Sequence, residues 1–320
     1  MMKNFPEQAA VFRLADRPHS RLRTLELGRV AETNHPLLGF SIGSTDPTTP
    51  VFGVFGGVHG LEKVGTHVAL AFLHHVLAQA EWDRDLAAVL ERSRVVAIPL
   101  VNPGGMAHNT RSNPRGVDLM RNAPQDIDVT AKPLPLVSGH RLGPWLPWYR
   151  GLENAPFETE AQVLVDFVQT HMFGASSALS IDLHSGFGLR DRLWYPYART
   201  SAPFPDIQRV RKLRALLDDT LPHHVYQVES QADAYLIRGD MWDYLYDLHQ
   251  ATAREAEGVF IPWALEMGSW NWVRKNPLQL LTSGGLFNPL KPHRHGRTMR
   301  RHLHLLDFLF RASRNMEAWT

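Results

Sequence analysis

The chain has 320 residues, 44% of them hydrophobic and 21% charged, a composition that supports a substantial core and excludes a disordered chain. Its formal charge of +2 is too small to argue for a nucleic-acid partner, and the absence of cysteine excludes disulfides, thiolate catalysis and thiolate-held zinc, so any metal must be bound by nitrogen and oxygen. Residues 1–20 carry charges throughout instead of a signal-peptide apolar core, and no run reaches the roughly 18 apolar residues of a membrane span; the expected location is cytoplasmic, with no membrane partner.

In chain order, Leu22–Val30, Leu37–Ile42 and Val51–Val58 read as strands from their aliphatic content and the glycine, proline or asparagine near their ends. Val64–Ala80 has alanine and leucine at helical spacing, Asp85–Arg92 extends it, and Val95–Leu100 returns to a strand. Gln125–Leu152, rich in proline, reads as a long irregular excursion. Phe157–His171 is the next expected helix, followed by a strand at Ala178–Leu183, a helix at Ile207–Leu217, strands at Val225–Glu229 and Val259–Leu265, and a closing helix at Arg297–Arg314. Strands separated by helices predict an α/β fold: a mixed, mainly parallel twisted sheet covered by helices on both faces, within one domain spanning residues 1–320. Ligands in such sheets gather beyond the carboxyl ends of the strands.

Three candidate metal ligands fall at such ends. His59 and Glu62 follow the strand through Val54-Phe55-Gly56-Gly57-Val58, and His184 ends the run Ala178-Leu179-Ser180-Ile181-Asp182-Leu183. Two imidazoles and a carboxylate suit a catalytic zinc that keeps one position open, so one Zn2+ per chain and hydrolysis lead the chemical reading. Taken alone, each residue also has an ordinary structural role, such as a helix-start carboxylate or a core histidine. Lys291, Arg294, Arg297, Arg300 and Arg301 read as a solvated helix face, and the histidines at 67, 74, 75, 293, 295, 302 and 304 as structural or surface groups.

His59-Gly60-Leu61-Glu62, the segment from Asn102-Pro103-Gly104-Gly105 to Gly116-Val117-Asp118-Leu119-Met120-Arg121-Asn122, Asp182-Leu183-His184-Ser185, and Ala264-Leu265-Glu266-Met267-Gly268 together resemble the zinc carboxypeptidases, in that family's order and with similar separations. The resemblance implies His59, Glu62 and His184 as zinc ligands, with Asp118 orienting the first histidine. Glu266 is implied as the general base, taking a proton from the attacking water and delivering one to the leaving nitrogen. Arg121 is implied as the grip on the substrate's terminal carboxylate, although its usual asparagine neighbour is Met120 here. The oxyanion-stabilising arginine aligns without gaps with His108, while Arg111 lies three residues later, so both stand as candidates. A substrate-covering tyrosine is expected within Gly239–Tyr246, with Tyr246 the first choice and Tyr244 the second.

The resemblance implies a peptide substrate, cleaved at the amide next to a free carboxylate. Two alternatives stay open: a deacylase of N-acyl amino acids, resembling succinylglutamate desuccinylase and aspartoacylase, and a non-catalytic binding module that keeps the fold. Against the module stand the three candidate ligands and Glu266, all present. The pattern carries no information on oligomeric state.

Overall fold

The structure, a computed structural model, describes residues 5–128, 134–252 and 258–320. Residues 1–4 of the charged N-terminal segment and 129–133 of the expected excursion lie outside these described residues. The elements run α1 (Pro6–Ala15), β1 (Leu22–Arg29), β2 (Pro36–Gly43), β3 (Val51–Gly56), α2 (Lys63–Ala80), α3 (Arg84–Leu90), β4 (Arg94–Ile98) and α4 (Pro103–His108). They continue α5 (Thr159–Met172), β5 (Ser177–Ser185), β6 (Arg192–Tyr195), α6 (Ile207–Thr220), β7 (Gln227–Ser230), α7 (Gln231–Ala234), α8 (Met241–Thr252), β8 (Val259–Met267), α9 (Trp270–Lys275) and α10 (Pro292–Ser313).

Eight strands form one sheet in the order β1-β2-β4-β3-β5-β8-β6-β7. The centre, β4-β3-β5-β8, is parallel, and antiparallel pairs enter at β1-β2, β2-β4 and β6-β8. Every residue of β3, β4 and β5 is buried, which is why these strands read as continuous apolar runs rather than alternating ones. Pro262 is tolerated within β8 because β6 pairs with β8 only from Ala264 to Glu266, so the strand has an open edge at that height.

Helices cover both faces. On one side α1, α2 and α10 join the sheet, with Val68, Phe72 and Val76 of α2 recurring at helical spacing in the same core as Leu305 and Leu309 of α10. On the other side α5 and α8 form a second core, with Leu164, Val168 and Leu245 among its buried residues. The strand register places the loop after β3 and the last residues of β5 and β8 at one edge of the parallel centre. No described helix is long and apolar enough to cross a membrane.

Four of the segments that differ from the sequence reading are these. The N-terminal segment, weighed only as a leader, forms α1 with Glu7, Val11 and Leu14 buried. Arg192–Tyr195 is a strand, too short at four residues to announce itself by alternation. Residues 103–108 form a short helix started by the Asn102 side chain, which accepts from the Gly105 amide at 2.8 Å. The stretch expected to carry a substrate-covering tyrosine becomes α8, begun by Asp240, whose Oδ1 accepts from the Trp242 and Asp243 amides.

Candidate active site

The chain leaves β3 through Gly57 and Val58 and turns back at Glu62 to start α2, which aims His59 and Glu62 toward one point. Gly60 is required there by close approach: a Cβ would stand 2.2 Å from the Gly105 carbonyl carbon of α4. On β5, Asp182 and His184 are two residues apart and share a face of the sheet. The parallel register then sets His184 directly beside Glu266 of β8.

His59 Nδ1 lies 2.9 Å from Glu62 Oε1, and His184 Nδ1 lies 3.1 Å from Glu62 Oε2. One ligand atom from each residue falls within 4.8 Å of the other two, and all three side chains are buried, so these residues could hold one metal ion. The far ring nitrogens support that fit. His59 Nε2 meets Asp118 Oδ1 at 3.1 Å and His184 Nε2 meets Asp182 Oδ2 at 2.7 Å, contacts that favour N–H at Nε2 and leave a lone pair on each Nδ1. A carboxylate buried between two ring nitrogens needs positive charge beside it, supplied by a ring proton when no ion is bound and by the metal when the two Nδ1 atoms act as ligands. Glu62, Asp118 and Glu266 all lie in the field of the Arg111 guanidinium, and Asp118 in that of Arg121 as well.

Burial alone would raise the Glu62 pKa, but His59 and His184 outweigh it and hold the group below the ordinary carboxylate range. Burial would likewise lower His184, yet Asp182 and Glu62 carry it well above the usual imidazole value. At Asp118, burial is overcome by Arg111 and Arg121, and the carboxyl stays well below normal. Glu266 goes the other way: burial and then the nearby Glu62 push it up to about 8. Its Oε1 accepts from the Phe187 amide at 2.9 Å, and no described donor reaches its other oxygen.

Of the two oxyanion candidates, the structure brings only Arg111 to this cluster. Its Nε donates to Asp118 Oδ2 at 2.9 Å and its NH1 to Glu62 Oε1 at 3.4 Å. His108 is exposed at the end of α4, with Nδ1 turned back to the Gly104 carbonyl at 2.9 Å, because the left-handed Asn109 ends the helix and reverses the chain between the two residues. Arg121 and Met120 line the cavity, about 500 Å³, that opens beside the metal-ligand candidates.

The tyrosine expectation requires correction. Tyr246 is fully buried on α8, its hydroxyl donating to Asp206 Oδ2 at 2.9 Å and its ring against Phe204. Tyr244, also on α8, has its ring against Phe157. Neither lines the cavity. Tyr235 does: it sits in the loop before α8, with its ring near Phe187 and Trp194. Burial raises its pKa, and its hydroxyl lies in the fields of Arg121, Glu266 and Arg111. The available signal was position, since Tyr235 immediately follows a short helix in an otherwise irregular stretch, whereas Tyr244 and Tyr246 recur at helical spacing with Trp242 and Leu245.

Comparison with known proteins agrees with this geometry. A sequence profile of the zinc carboxypeptidase family matches residues 9–261, a span that ends before Glu266. Carboxypeptidase SOL1 of Arabidopsis thaliana is 25% identical over 251 residues, covering 73% of this chain; the chain spans about half of that protein, 45% of its length. Among solved structures, thrombin activatable fibrinolysis inhibitor superposes with a TM-score of 0.67 at 16% identity, covering 97% of this chain and 72% of the other. Carboxypeptidase A from Helicoverpa armigera gives 0.65 at 17% identity, covering 96% and 71%. The structural likenesses describe the fold, and the profile, matching well over half of the chain, gives the kinship: the chain belongs to the zinc carboxypeptidase family.

Proposed function

We propose that the chain is a zinc-dependent hydrolase that cleaves an amide bond next to a free carboxylate, with residues 1–320 acting as one catalytic unit. The observation that carries this reading is the register of β5 and β8, which sets Glu266 beside His184 and so beside the residues that could hold one metal. His59, Glu62 and His184 would hold the zinc, which when bound acidifies a water and polarises a carbonyl. Glu266 accepts the proton of the attacking water and returns one to the leaving nitrogen. Its upward shift suits a group that must both take and give a proton near neutral pH.

Arg111, with a side chain about one fifth exposed, supplies donors where negative charge develops on the scissile carbonyl oxygen. Arg121 meets the substrate's terminal carboxylate, and Tyr235, in place of Tyr246 or Tyr244, covers the bound substrate. Asp118 and Asp182 hold the two imidazoles in position.

The test is hydrolysis by zinc-loaded protein of short peptides with free or amidated C-termini, alongside N-acyl amino acids. The proposal expects cleavage at the last amide of free-acid peptides. Turnover confined to N-acyl amino acids would assign the site to the deacylase reading instead, and no turnover of any of them, with zinc bound, would contradict both.

A further inference from the structure

The Gln125–Leu152 excursion has no part in the functions assigned above, yet its described portion is tied to Arg121 from both sides. Val137 accepts through its carbonyl from Arg121 Nε at 3.1 Å and NH2 at 2.9 Å, while Arg121 NH1 donates to Asp118 Oδ2 at 3.0 Å. From the returning leg, Arg150 reaches back: its Nε donates to the Arg121 carbonyl at 3.2 Å, and its NH2 to the carbonyls of Ala123 and Gln125 at 3.1 and 2.6 Å. Both guanidiniums are almost fully buried, with side chains 1% and 2% exposed. The legs are joined by the His140 amide to the Trp148 carbonyl and the Arg150 amide to the His140 carbonyl, and the Asp118 amide donates to the Tyr149 carbonyl at 2.8 Å.

Gly139 sits between the two arginines. Its φ of +105° lies where side chains are strained, and a Cβ there would stand 3.1 Å from Arg150 Cδ and 3.3 Å from Arg121 Cδ. A guanidinium has five N–H donors; Val137 and Asp118 take three on Arg121, and Tyr235, which lines the same cavity, is the side-chain partner on the remaining side, so the guanidinium's last donors face the cavity beside Tyr235. The same strap supplies Leu134, Val137, Pro147 and Trp148 to the wall of that cavity.

We propose that Arg150 is a positioning residue for substrate selection: through the strap of residues 134–150 it fixes the orientation of Arg121, so that strap and anchor together discriminate free carboxylates from neutral C-termini. This rests on the reading that Arg121 meets the substrate carboxylate. Three carbonyls held by one planar fork explain why an arginine stands at 150, since an ammonium cannot match that geometry.

The experiment uses the zinc-loaded full chain and an N-benzoyl dipeptide as free acid and as C-terminal amide. Turnover is measured in the parent, Arg150→Ala, Arg150→Lys and Gly139→Ala, and calorimetric binding of both ligands is measured on each protein carrying Glu266→Gln. In Arg150→Ala, KM for the acid should rise about tenfold, the scale of one weakened charge-assisted hydrogen bond, with kcat, zinc content and amide turnover held. Gly139→Ala, which leaves both arginines in place, should shift the preference the same way, and Arg150→Lys should recover only part of it. Unchanged acid-over-amide preference in both Arg150→Ala and Gly139→Ala, or equal losses on acid and amide, would overturn the proposal. If the parent hydrolyses neither ligand but binds the acid better, and Arg150→Ala removes that preference, the hydrolase reading falls while the positioning role stands. Equal binding of acid and amide by the parent overturns the anchor itself.

Discussion

The candidate metal-ligand cluster and the proposed carboxylate anchor meet at one residue, Asp118, but they are built from different material. His184 and Glu266 stand on neighbouring parallel strands of the buried sheet centre, where register fixes their separation. Arg121 stands in a single 3-10 turn, Leu119–Arg121, and takes its orientation from Asp118 and from carbonyls and side chains of a long irregular segment. A sheet can hold a chemical constellation with little help, whereas a loop-built anchor needs a hydrogen-bonded partner for each position it keeps. Disturbing the sheet-held groups should therefore abolish chemistry, and disturbing the loop-held groups should change which substrates are chosen.

The largest effect is expected from His184→Ala, which removes one of the three candidate ligands. Elemental analysis should find zinc lost from the purified variant, with turnover at background. Zinc retained at the parent level would remove His184 from the ligand set.

Glu266→Gln should keep its zinc and lose turnover by about 10²–10⁴-fold, the usual range for a general acid–base group. The pH dependence gives a second readout. Below its pKa Glu266 is protonated and cannot accept a proton, so kcat/KM should fall as pH drops through that value. A dication beside the carboxyl draws the value below the roughly 8 that burial and Glu62 set without one. Residual turnover in Glu266→Gln that keeps the parent's acid limb would place the base elsewhere.

A smaller loss is expected of Asp182→Asn. The carboxylate accepts from Trp242 Nε1 at 2.9 Å as well as holding His184 Nε2, and loss of such a ligand-orienting partner costs about 10–100-fold in metal affinity. A chelator-competition titration gives the number, and an affinity equal to the parent's would mean that the strand alone orients the ring.

The smallest effect belongs to the loop-built side. Met120 lines the cavity next to Arg121, and a thioether cannot donate the hydrogen bond an amide offers. Met120→Asn should raise the preference for free-acid over amidated peptides several-fold, within the reach of one added charge-assisted hydrogen bond. A strong preference in the parent, unchanged in the variant, would show that position 120 does not contribute to selection.

The same contrast governs what the sequence disclosed. The positions of His59, His184 and Glu266 were legible because each stands at or just past the end of an apolar run, as buried parallel strands write themselves, while Glu62 came from its spacing after His59 and the role of Glu266 from the family resemblance. The strands β1 to β5 were legible from their aliphatic runs and the long helix α2 from its helical spacing, with ends shifted by a residue or two. The choice between His108 and Arg111 was not, because it depends on the left-handed turn at Asn109, a single backbone conformation with no periodic trace. That Tyr235 lines the cavity while the helical Tyr244 and Tyr246 do not was hidden, since amphipathic spacing reveals burial and not which loop residue faces a cavity. The bonds of Arg150 were equally hidden: they run to backbone carbonyls, which no residue pattern records.

The most direct test of the central claim is a zinc titration of chelator-stripped protein, followed by hydrolysis of a free-acid peptide. The account predicts that stripping abolishes turnover and that activity returns in proportion to added zinc, levelling at one equivalent per chain because His59, Glu62 and His184 form the sole cluster of its kind among the described residues. Turnover that survives stripping, or that rises further toward a second equivalent, would contradict a single metal held by these three side chains.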